Sequence, residues 1–251
     1  MGRNMNRTFS VITIAKNALP ELKRTFESLK NQTVKDFEWI VIDGASNDGT
    51  REWLNSLEVK DFKFSWESKK DKGISDAWNK GIFKSKGKQI LILNAGDTYD
   101  LNMIEIFQEK ISENKITCAN ARLIDLKSGA AVGIFKAEPG KLWRGMHLPH
   151  NWCSVPINLY RVHGGYPLLK YAMDFSWFHQ FYKSNGNDRF ECINLTLGSY
   201  YLGGISDKNF IKSFSVNKQI LIENGCNKTI ASIIYFFYIF KHALKKIRHY
   251  I

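Results

Sequence analysis

The sequence lacks the features that mark exported and membrane-spanning proteins. Its longest strongly apolar run, Ile230 to Phe240, is far shorter than the ~20 residues of a spanning helix. The first residues contain no apolar stretch typical of a secretory signal. The four cysteines show neither a Cys-x-x-Cys pair nor the spacing of a zinc site: Cys118, Cys153, Cys192 and Cys226. We therefore expect a cytoplasmic protein with buried, inert thiols.

Acidic residues are also in short supply. The chain has 36 Lys and Arg against 24 Asp and Glu, a formal charge of +12. The segment from Lys208 to Ile251 holds eight basic residues and one acidic residue, so more than half of the excess lies there. Such a tail attracts anionic lipid or polyanionic substrates. Because no helix-turn-helix, zinc finger or RNA-stacking motif accompanies it, we expect no nucleic-acid partner.

What the sequence does contain is enough apolar material for a core, with 44% hydrophobic residues in a chain of 251. Its first half alternates strand and helix patterns, which is typical of an α/β fold with parallel strands. The strands have nearly continuous apolar runs, as in a sheet covered on both faces. The predicted strands are Phe9–Ala15, Phe37–Asp43, Phe62–Glu67 and Gln89–Asn94.

The pattern changes after about residue 115. Two strands, Ile116–Ile124 and Ala130–Phe135, are joined by a hairpin signal. Later elements are predicted as strands at Trp152–Asn158 and Phe190–Tyr201, and helices at Ala172–Ser184, Asn209–Glu223 and Thr229–Tyr250. We predict a mixed-sheet domain over residues 1–206 and a basic, aromatic helical appendage over residues 207–251.

Acidic turns follow three successive predicted strands, at Asp43, Asp71 and Asp97. The carboxyl ends of such strands meet at one edge of the sheet, where α/β proteins bind ligands. In Asn94-Ala-Gly-Asp97, small residues leave room beside a carboxylate for a divalent cation and a diphosphate. The alternative is that Asp97 caps a helix over Leu101–Glu113.

Several segments in order resemble a known family. They are Ser10–Asn17, Val41–Thr50, Asp71–Gly81, Leu93–Asp97, His150, Gly164–Tyr166, Ala172–Asp174 and Gly203–Ser206. Together they make the chain similar to family 2 glycosyltransferases, in particular to bacterial exopolysaccharide, O-antigen and colanic-acid-type transferases. The resemblance implies a GT-A fold and an inverting, metal-using enzyme with a nucleotide-sugar donor. It covers about residues 8 to 206.

The resemblance also implies roles for individual residues. Donor contacts are expected at Thr13, Ala15, Asn17, Asp43, Asp71, Gly73, Asp76, Asn79, Ala95 and Gly96. Asp97, helped by His150, would hold Mn²⁺ or Mg²⁺, and Asp174 would be the catalytic base. Gly164, Gly165 and Tyr166 would shape the acceptor side. The chain departs from the family in having one carboxylate after the second strand and one in the metal motif.

Plainer interpretations stay open for some of these residues. Asp174 can cap its helix, Asp76 and Lys80 can form a surface ion pair, and His150 can be a structural histidine. The C-terminal helix can lie on an anionic bilayer at the inner face of the cytoplasmic membrane, or pack on the core.

We predict transfer of a sugar from a UDP-linked donor to a glycan or polyprenyl-linked acceptor in bacterial surface polysaccharide synthesis. A non-catalytic GT-A scaffold and a polyanion-binding protein are the alternatives.

Overall fold

The computed structural model describes residues 8–204 and 209–248. Its strands are β1 (Phe9–Ala15), β2 (Phe37–Asp43), β3 (Lys63–Ser68), β4 (Gln89–Ile92), β5 (Thr98–Tyr99), β6 (Ile116–Ile124), β7 (Ala131–Phe135), β8 (Cys153–Pro156) and β9 (Phe190–Tyr201). In the described part of the chain they form one sheet in the order β3-β2-β1-β4-β8-β6-β9-β5, and β7 pairs with β6.

Helices lie on both sides of this sheet. They are α1 (Leu19–Lys30), α2 (Thr50–Ser56), α3 (Ile74–Lys84), α4 (Met103–Lys110), α5 (Ile157–His163), α6 (Met173–Asn185), α7 (Phe210–Glu223) and α8 (Lys228–Arg248). Short 3₁₀ segments occur at Pro139–Arg144, His150–Trp152 and Asn187–Arg189.

The first four strands are parallel to one another, as the sequence predicts, and they form one half of the sheet with β3 at its edge. Alternate side chains of β4 enter different cores, because successive residues of a strand point to opposite faces. Ile90 and Ile92 pack on the side of α3 and α6, whereas Leu91 packs on the side of α1 and α4. Both faces are therefore covered, which explains the continuous apolar strands.

The second half of the sheet is mixed, with β8 antiparallel to β4 and β6, and β9 parallel to β6. The β6–β7 hairpin confirms the predicted pair of strands. The strand predicted over Trp152–Asn158 is wrong at its end, since β8 stops at Pro156 and α5 follows. Leu159 and Tyr160 of α5 are buried in the core, so packing outweighs the β-branched pattern.

The C-terminal helices α7 and α8 form an antiparallel pair, called the C-terminal hairpin below. Ile220 and Leu221 of α7 and Ala231 of α8 are buried with residues of α6 in one core cluster. The apolar tail therefore packs on the body through one face. No helix within the described residues is both long enough and apolar enough to cross a bilayer.

Candidate active site

A cleft of about 690 Å³ opens at the carboxyl ends of β1 and β4. It is bounded by the start of α3, the segment Met146–Asn151, the start of α6 and one stripe of α7. This size is typical of pockets that hold a small organic ligand. Its position at the edge where parallel strands end is the position expected for a ligand in an α/β sheet.

Seven of the residues proposed from the sequence line this cleft: Ala15, Asp71, Gly73, Ala95, Asp97, His150 and Asp174. The structure thus brings the two carboxylates assigned to metal and base into one space. The other proposed residues do not line the cleft: Thr13, Asn17, Asp43, Asp76, Asn79, Gly96, Gly164, Gly165 and Tyr166. Most of these nine residues make hydrogen bonds or ion pairs within the fold, as described below.

Asp97 is buried and held by two donors. The backbone N–H of Tyr201 donates to its Oδ1 at 2.9 Å, and the side-chain amide of Asn151 donates to its Oδ2. Asn94 continues the network by donating to Asn151 Oδ1 at 3.2 Å and accepting from the Trp78 indole at 3.2 Å. The capping alternative is wrong, because α4 begins at Met103 and Asn102 precedes it.

As a single carboxylate, Asp97 could bind a divalent cation only weakly by itself. A carboxylate offers oxygen ligands to a cation, and two of the lone-pair sites of Asp97 take the hydrogen bonds from Tyr201 and Asn151. Within residues 8–204 and 209–248 no group of three or more His, Cys, Asp or Glu side chains could hold a metal ion. Asp97 therefore fits one position of a Mg²⁺ or Mn²⁺ shell that ligand phosphate oxygens and water complete.

His150 is engaged on one side. Its Nε2 hydrogen-bonds the Tyr166 hydroxyl at 2.7 Å, and that hydroxyl also meets the Tyr160 hydroxyl at 2.7 Å. Burial lowers the pKa of His150 to about 4, although the negative charge of Asp174 opposes the shift. The imidazole is thus neutral at pH 7, and its Nε2 binds a metal ion only if the bond to Tyr166 breaks.

Asp174 is the second residue of α6 and is half-buried. Its Oδ1 accepts the N–H of Phe175 at 2.8 Å, as an acidic residue at a helix start often does. The aromatic ring of Trp177, three residues later, packs on Tyr160 and Phe181. Asp174 therefore has a structural contact and also faces the cleft.

Asp71 and Gly73 shape the entrance to α3. Asp71 Oδ1 accepts the Gly73 N–H at 2.9 Å, and a Cβ added at Gly44 would meet Asp71 Oδ2 at 2.6 Å. Gly44 thus lets the two loops approach closely. Gly73 has φ +121° and no atom within 4 Å of the position of a Cβ, so a ligand in the cleft can approach it closely.

Three residues proposed to contact the donor make hydrogen bonds within the fold instead of lining the cleft: Asp43, Thr13 and Asn17. Asp43 is fully buried, and its Oδ2 accepts hydrogen bonds from the Ser46 N–H and the Ser68 hydroxyl. Thr13 accepts the Trp39 indole N–H at 2.9 Å within the core. Asn17 Oδ1 accepts the N–H of Asn47 at 2.9 Å. Their expected contacts with a donor stay predictions.

Gly96 and Asp76 also serve local structure. The Gly96 carbonyl accepts Arg24 Nε at 2.7 Å. Asp76 Oδ2 accepts Lys72 N–H and pairs with Lys80, both at 2.9 Å, and these contacts lower the pKa of Asp76. The surface ion pair that the sequence left open is therefore present.

Asn79 clamps the segment proposed for the acceptor side. Its Nδ2 donates to the Tyr166 carbonyl and its Oδ1 accepts the Tyr166 N–H, both at 2.8 Å. A Cβ at Gly165 would meet Asn79 Oδ1 at 2.4 Å, so only glycine permits this clamp. The Gly164 carbonyl accepts the Trp177 indole. Because the Tyr166 hydroxyl is hydrogen-bonded to His150, this segment also helps to fix the His150 imidazole.

We expect Asn79→Ala to lower the free energy of unfolding by about 2 kcal/mol, because the backbone N–H and carbonyl of Tyr166 lose their partner. Urea unfolding measures this change. Lys80→Ala on the same helix is the control and should cost less than about 1 kcal/mol, since it removes a surface pair. Equal losses of stability in the two variants would contradict the role given to the hydrogen bonds between Asn79 and Tyr166.

Two groups of lining residues were not predicted from the sequence. Asn151 orients Asp97 from a position 54 residues away, and its only sequence signal is a polar residue within an apolar stretch. The stripe Phe210, Ser213, Phe214 and Asn217 of α7 forms one wall. The sequence predicts this helix as part of an appendage outside the site, because helical periodicity does not show which surface a helix packs against.

Comparison with known proteins agrees with this architecture. Residues 10–152 match the family model described as glycosyl transferase family 2. An uncharacterized glycosyltransferase of Haemophilus influenzae is 24% identical over 96% of this chain and 90% of its own length. Another, from Mycobacterium tuberculosis, is 39% identical over 37% of this chain. That match spans only 35% of the mycobacterial relative's length.

Solved glycosyltransferases share the fold. TarS of S. aureus, in complex with UDP-GlcNAc, aligns with a TM-score of 0.65 at 15% identity over 90% of this chain and 70% of TarS. A mannosyltransferase of Pyrobaculum calidifontis, in complex with GDP-Man and Mn²⁺, aligns with a TM-score of 0.61 at 14% identity, covering 94% of this chain and 75% of its own. The expected GT-A fold is confirmed.

Proposed function

The chain belongs to glycosyl transferase family 2, and on that premise we propose that it transfers a sugar, with inversion, from a UDP-linked donor to a lipid-linked or glycan acceptor. The observation that carries this proposal is the presence of Asp97 and Asp174 in one cleft at the carboxyl edge of the sheet. Their separate surroundings suit separate roles.

The donor occupies the end of the cleft near β1 and β4 in this proposal. Ala15, Asp71 and Gly73 contact the nucleoside side, and Lys16, which also lines the cleft, attracts the diphosphate. A divalent cation held by Asp97 would neutralise the diphosphate as it leaves. Support comes from TarS and the mannosyltransferase, which were solved with nucleotide-sugars.

Asp174 acts as general base in the proposed reaction. Its carboxylate takes the proton of the acceptor hydroxyl while that oxygen bonds to the anomeric carbon of the donor. The bond from this carbon to the diphosphate oxygen breaks, and the electron pair leaves with the nucleoside diphosphate. Attack opposite to the leaving group inverts the configuration at that carbon.

A thermal-shift panel tests the donor assignment. With Mn²⁺ or Mg²⁺, we expect UDP and one UDP-sugar at a hundred times Kd to raise Tm by about 5 to 10 °C, because ligands that bind the folded state stabilise it. GDP-mannose and metal alone are the comparison arms. A shift with GDP-mannose only would mean that the donor carries guanine and not uracil. No shift with any nucleotide would contradict the proposal.

The acceptor is proposed to be carried on a membrane, in surface polysaccharide synthesis at the inner face of the cytoplasmic membrane. One face of α8 packs on the body through Ala231, Ile234 and Tyr238. The opposite stripe is 50% to 66% exposed and entirely apolar: Ile230, Ile233, Phe236, Phe237 and Phe240. It lies on the segment that carries eight basic residues and one acidic residue. These features favour an anionic bilayer as its partner.

We expect the double change Phe237→Ser and Phe240→Ser to weaken binding to phosphatidylglycerol-containing vesicles at least about tenfold, because two aromatic rings no longer leave water. Co-sedimentation measures the binding. Phe83→Ser on α3, whose side chain is 92% exposed, is the matched control and should change nothing. Equal binding by the double variant and the parent would exclude this face as the membrane contact.

A further inference from the structure

A pair of buried tyrosines determines which ring nitrogen of His150 carries a proton. His150 Nε2 lies 2.7 Å from the Tyr166 hydroxyl, which in turn lies 2.7 Å from the Tyr160 hydroxyl. Both tyrosines are buried, and within residues 8–204 and 209–248 the Tyr160 hydroxyl has no other hydrogen-bond partner. Its proton therefore goes to the Tyr166 oxygen, because a buried hydroxyl proton without an acceptor is costly. Tyr166 then donates its own proton to His150 Nε2.

This direction of hydrogen bonding leaves the proton of the neutral His150 imidazole on Nδ1. In the part of the chain that the structure describes, Nδ1 has no hydrogen-bond partner, and it is not among the side-chain atoms that are both buried and unpaired. It is therefore open to the cleft that His150 lines. A doubly protonated ring would keep the same N–H, so this donor does not depend on the charge of the ring.

His150 lies between the carboxylates assigned to the cation and to the base. On one side, Asn151 follows it in the chain and donates to Asp97. On the other side, the rings of His150 and Phe178 meet edge to face with centroids 5.6 Å apart. Phe178 follows Asp174 by four residues and lies on the same face of α6. The negative charge of Asp174 accordingly opposes the lowering of the His150 pKa by burial.

We propose that His150 is a substrate-binding residue whose Nδ1–H donates a hydrogen bond to an oxygen of the transferred sugar. This role rests on the proposed function, because the sugar is the group that lies between a diphosphate near Asp97 and a base at Asp174. It differs from the metal-ligand role that the family resemblance implies for His150. A nitrogen that carries a proton cannot bind a cation, and the lone pair of the other nitrogen is taken by Tyr166.

Two substitutions of His150 separate its two nitrogens. An asparagine amide can take the place of Nδ1, whereas a glutamine amide can take the place of Nε2. UDP-glucose, UDP-galactose and UDP-N-acetylglucosamine are titrated into the parent by calorimetry with Mn²⁺, and the one that binds most tightly is used throughout. We expect its Kd to rise at least about tenfold in His150→Gln and less than about threefold in His150→Asn, while the Kd of UDP stays at the parental value in both.

His163→Gln is the matched control. His163 ends α5, is exposed and does not line the cleft, so this variant should bind UDP and the UDP-sugar like the parent.

Nuclear magnetic resonance of the ¹⁵N-labelled protein determines the tautomer without any substrate. Two-bond ¹⁵N–¹H spectra at pH 7 should show the proton of His150 on Nδ1, with the signals of this ring assigned by their loss in His150→Gln. Tyr166→Phe removes the hydroxyl that donates to Nε2, so in that variant the proton should be distributed over both nitrogens. This measurement on the parent keeps the proposal testable if a His150 variant fails to fold.

Several results would overturn the proposal. They are a proton on Nε2 in the parent, an unchanged UDP-sugar Kd in His150→Gln, and binding of UDP but of none of the three UDP-sugars. A loss of Mn²⁺-dependent UDP affinity in both His150 variants would instead make this residue a metal ligand. Each of these results leaves the proposed function intact as long as UDP binds the parent, whereas failure of UDP to bind the parent rejects both.

Discussion

Asp174→Asn is expected to lower sugar transfer at least ~100-fold while UDP binds with unchanged affinity. Asparagine keeps the size of the side chain and an oxygen that can accept the Phe175 N–H, so α6 should begin as before. What is lost is the ability to take a proton from the acceptor hydroxyl, and loss of a general base typically costs this much. Turnover is measured with a competent acceptor, and affinity by calorimetry.

The control for this variant is another carboxylate close to α6. Asp188 lies in the 3₁₀ segment that follows the helix and does not line the cleft. Asp188→Asn should keep parental turnover. If Asp174→Asn is as active as the parent, or if Asp188→Asn is the variant that loses activity, the base lies elsewhere.

Asp97→Asn is expected to reduce Mn²⁺-dependent UDP affinity by roughly 10–100-fold. The substitution removes the only carboxylate in Asn94-Ala-Gly-Asp97 and keeps an oxygen for the Tyr201 N–H. Asn151→Ala should have an effect of the same order, because residues that orient a metal ligand typically contribute 10–100-fold to affinity. Titrations with and without Mn²⁺ separate cation binding from other contacts.

Asp100→Asn is the matched control in the same part of the chain. Asp100 pairs with Arg122 at 3.3 Å and does not line the cleft, so UDP affinity should stay at the parental value. Melting curves check that each variant is folded. Parental Mn²⁺-dependent affinity in Asp97→Asn would contradict the role given to this carboxylate.

The sequence was sufficient where local pattern and packing agree. The predicted strands Phe9–Ala15 and Phe37–Asp43 coincide with β1 and β2, because apolar β-branched runs bounded by turns leave little ambiguity. The polar turns after them lie at one edge of the sheet because the strands are parallel. The family resemblance then placed Asp97 and Asp174, which the fold brings into one cleft.

Side-chain direction was beyond the sequence. Asn79 belongs to a segment that resembles a donor-binding motif, yet its amide is bound to Tyr166, 87 residues away. Asp43 matches a family position, but Ser46 and Ser68 surround it. The role of α7 as a cleft wall also depends on a distant contact, that of His147 with Tyr238. One sequence contains no information on such pairings.

A crystal structure of the protein with UDP and Mn²⁺ tests the central claim most directly. The account predicts that the diphosphate lies at the end of the cleft near β1 and β4, with Mn²⁺ bound to Asp97 and to phosphate oxygens. Asp174 should face the remaining part of the cleft without touching the nucleotide. UDP bound outside the cleft, or a diphosphate bound in the cleft away from Asp97, would contradict it.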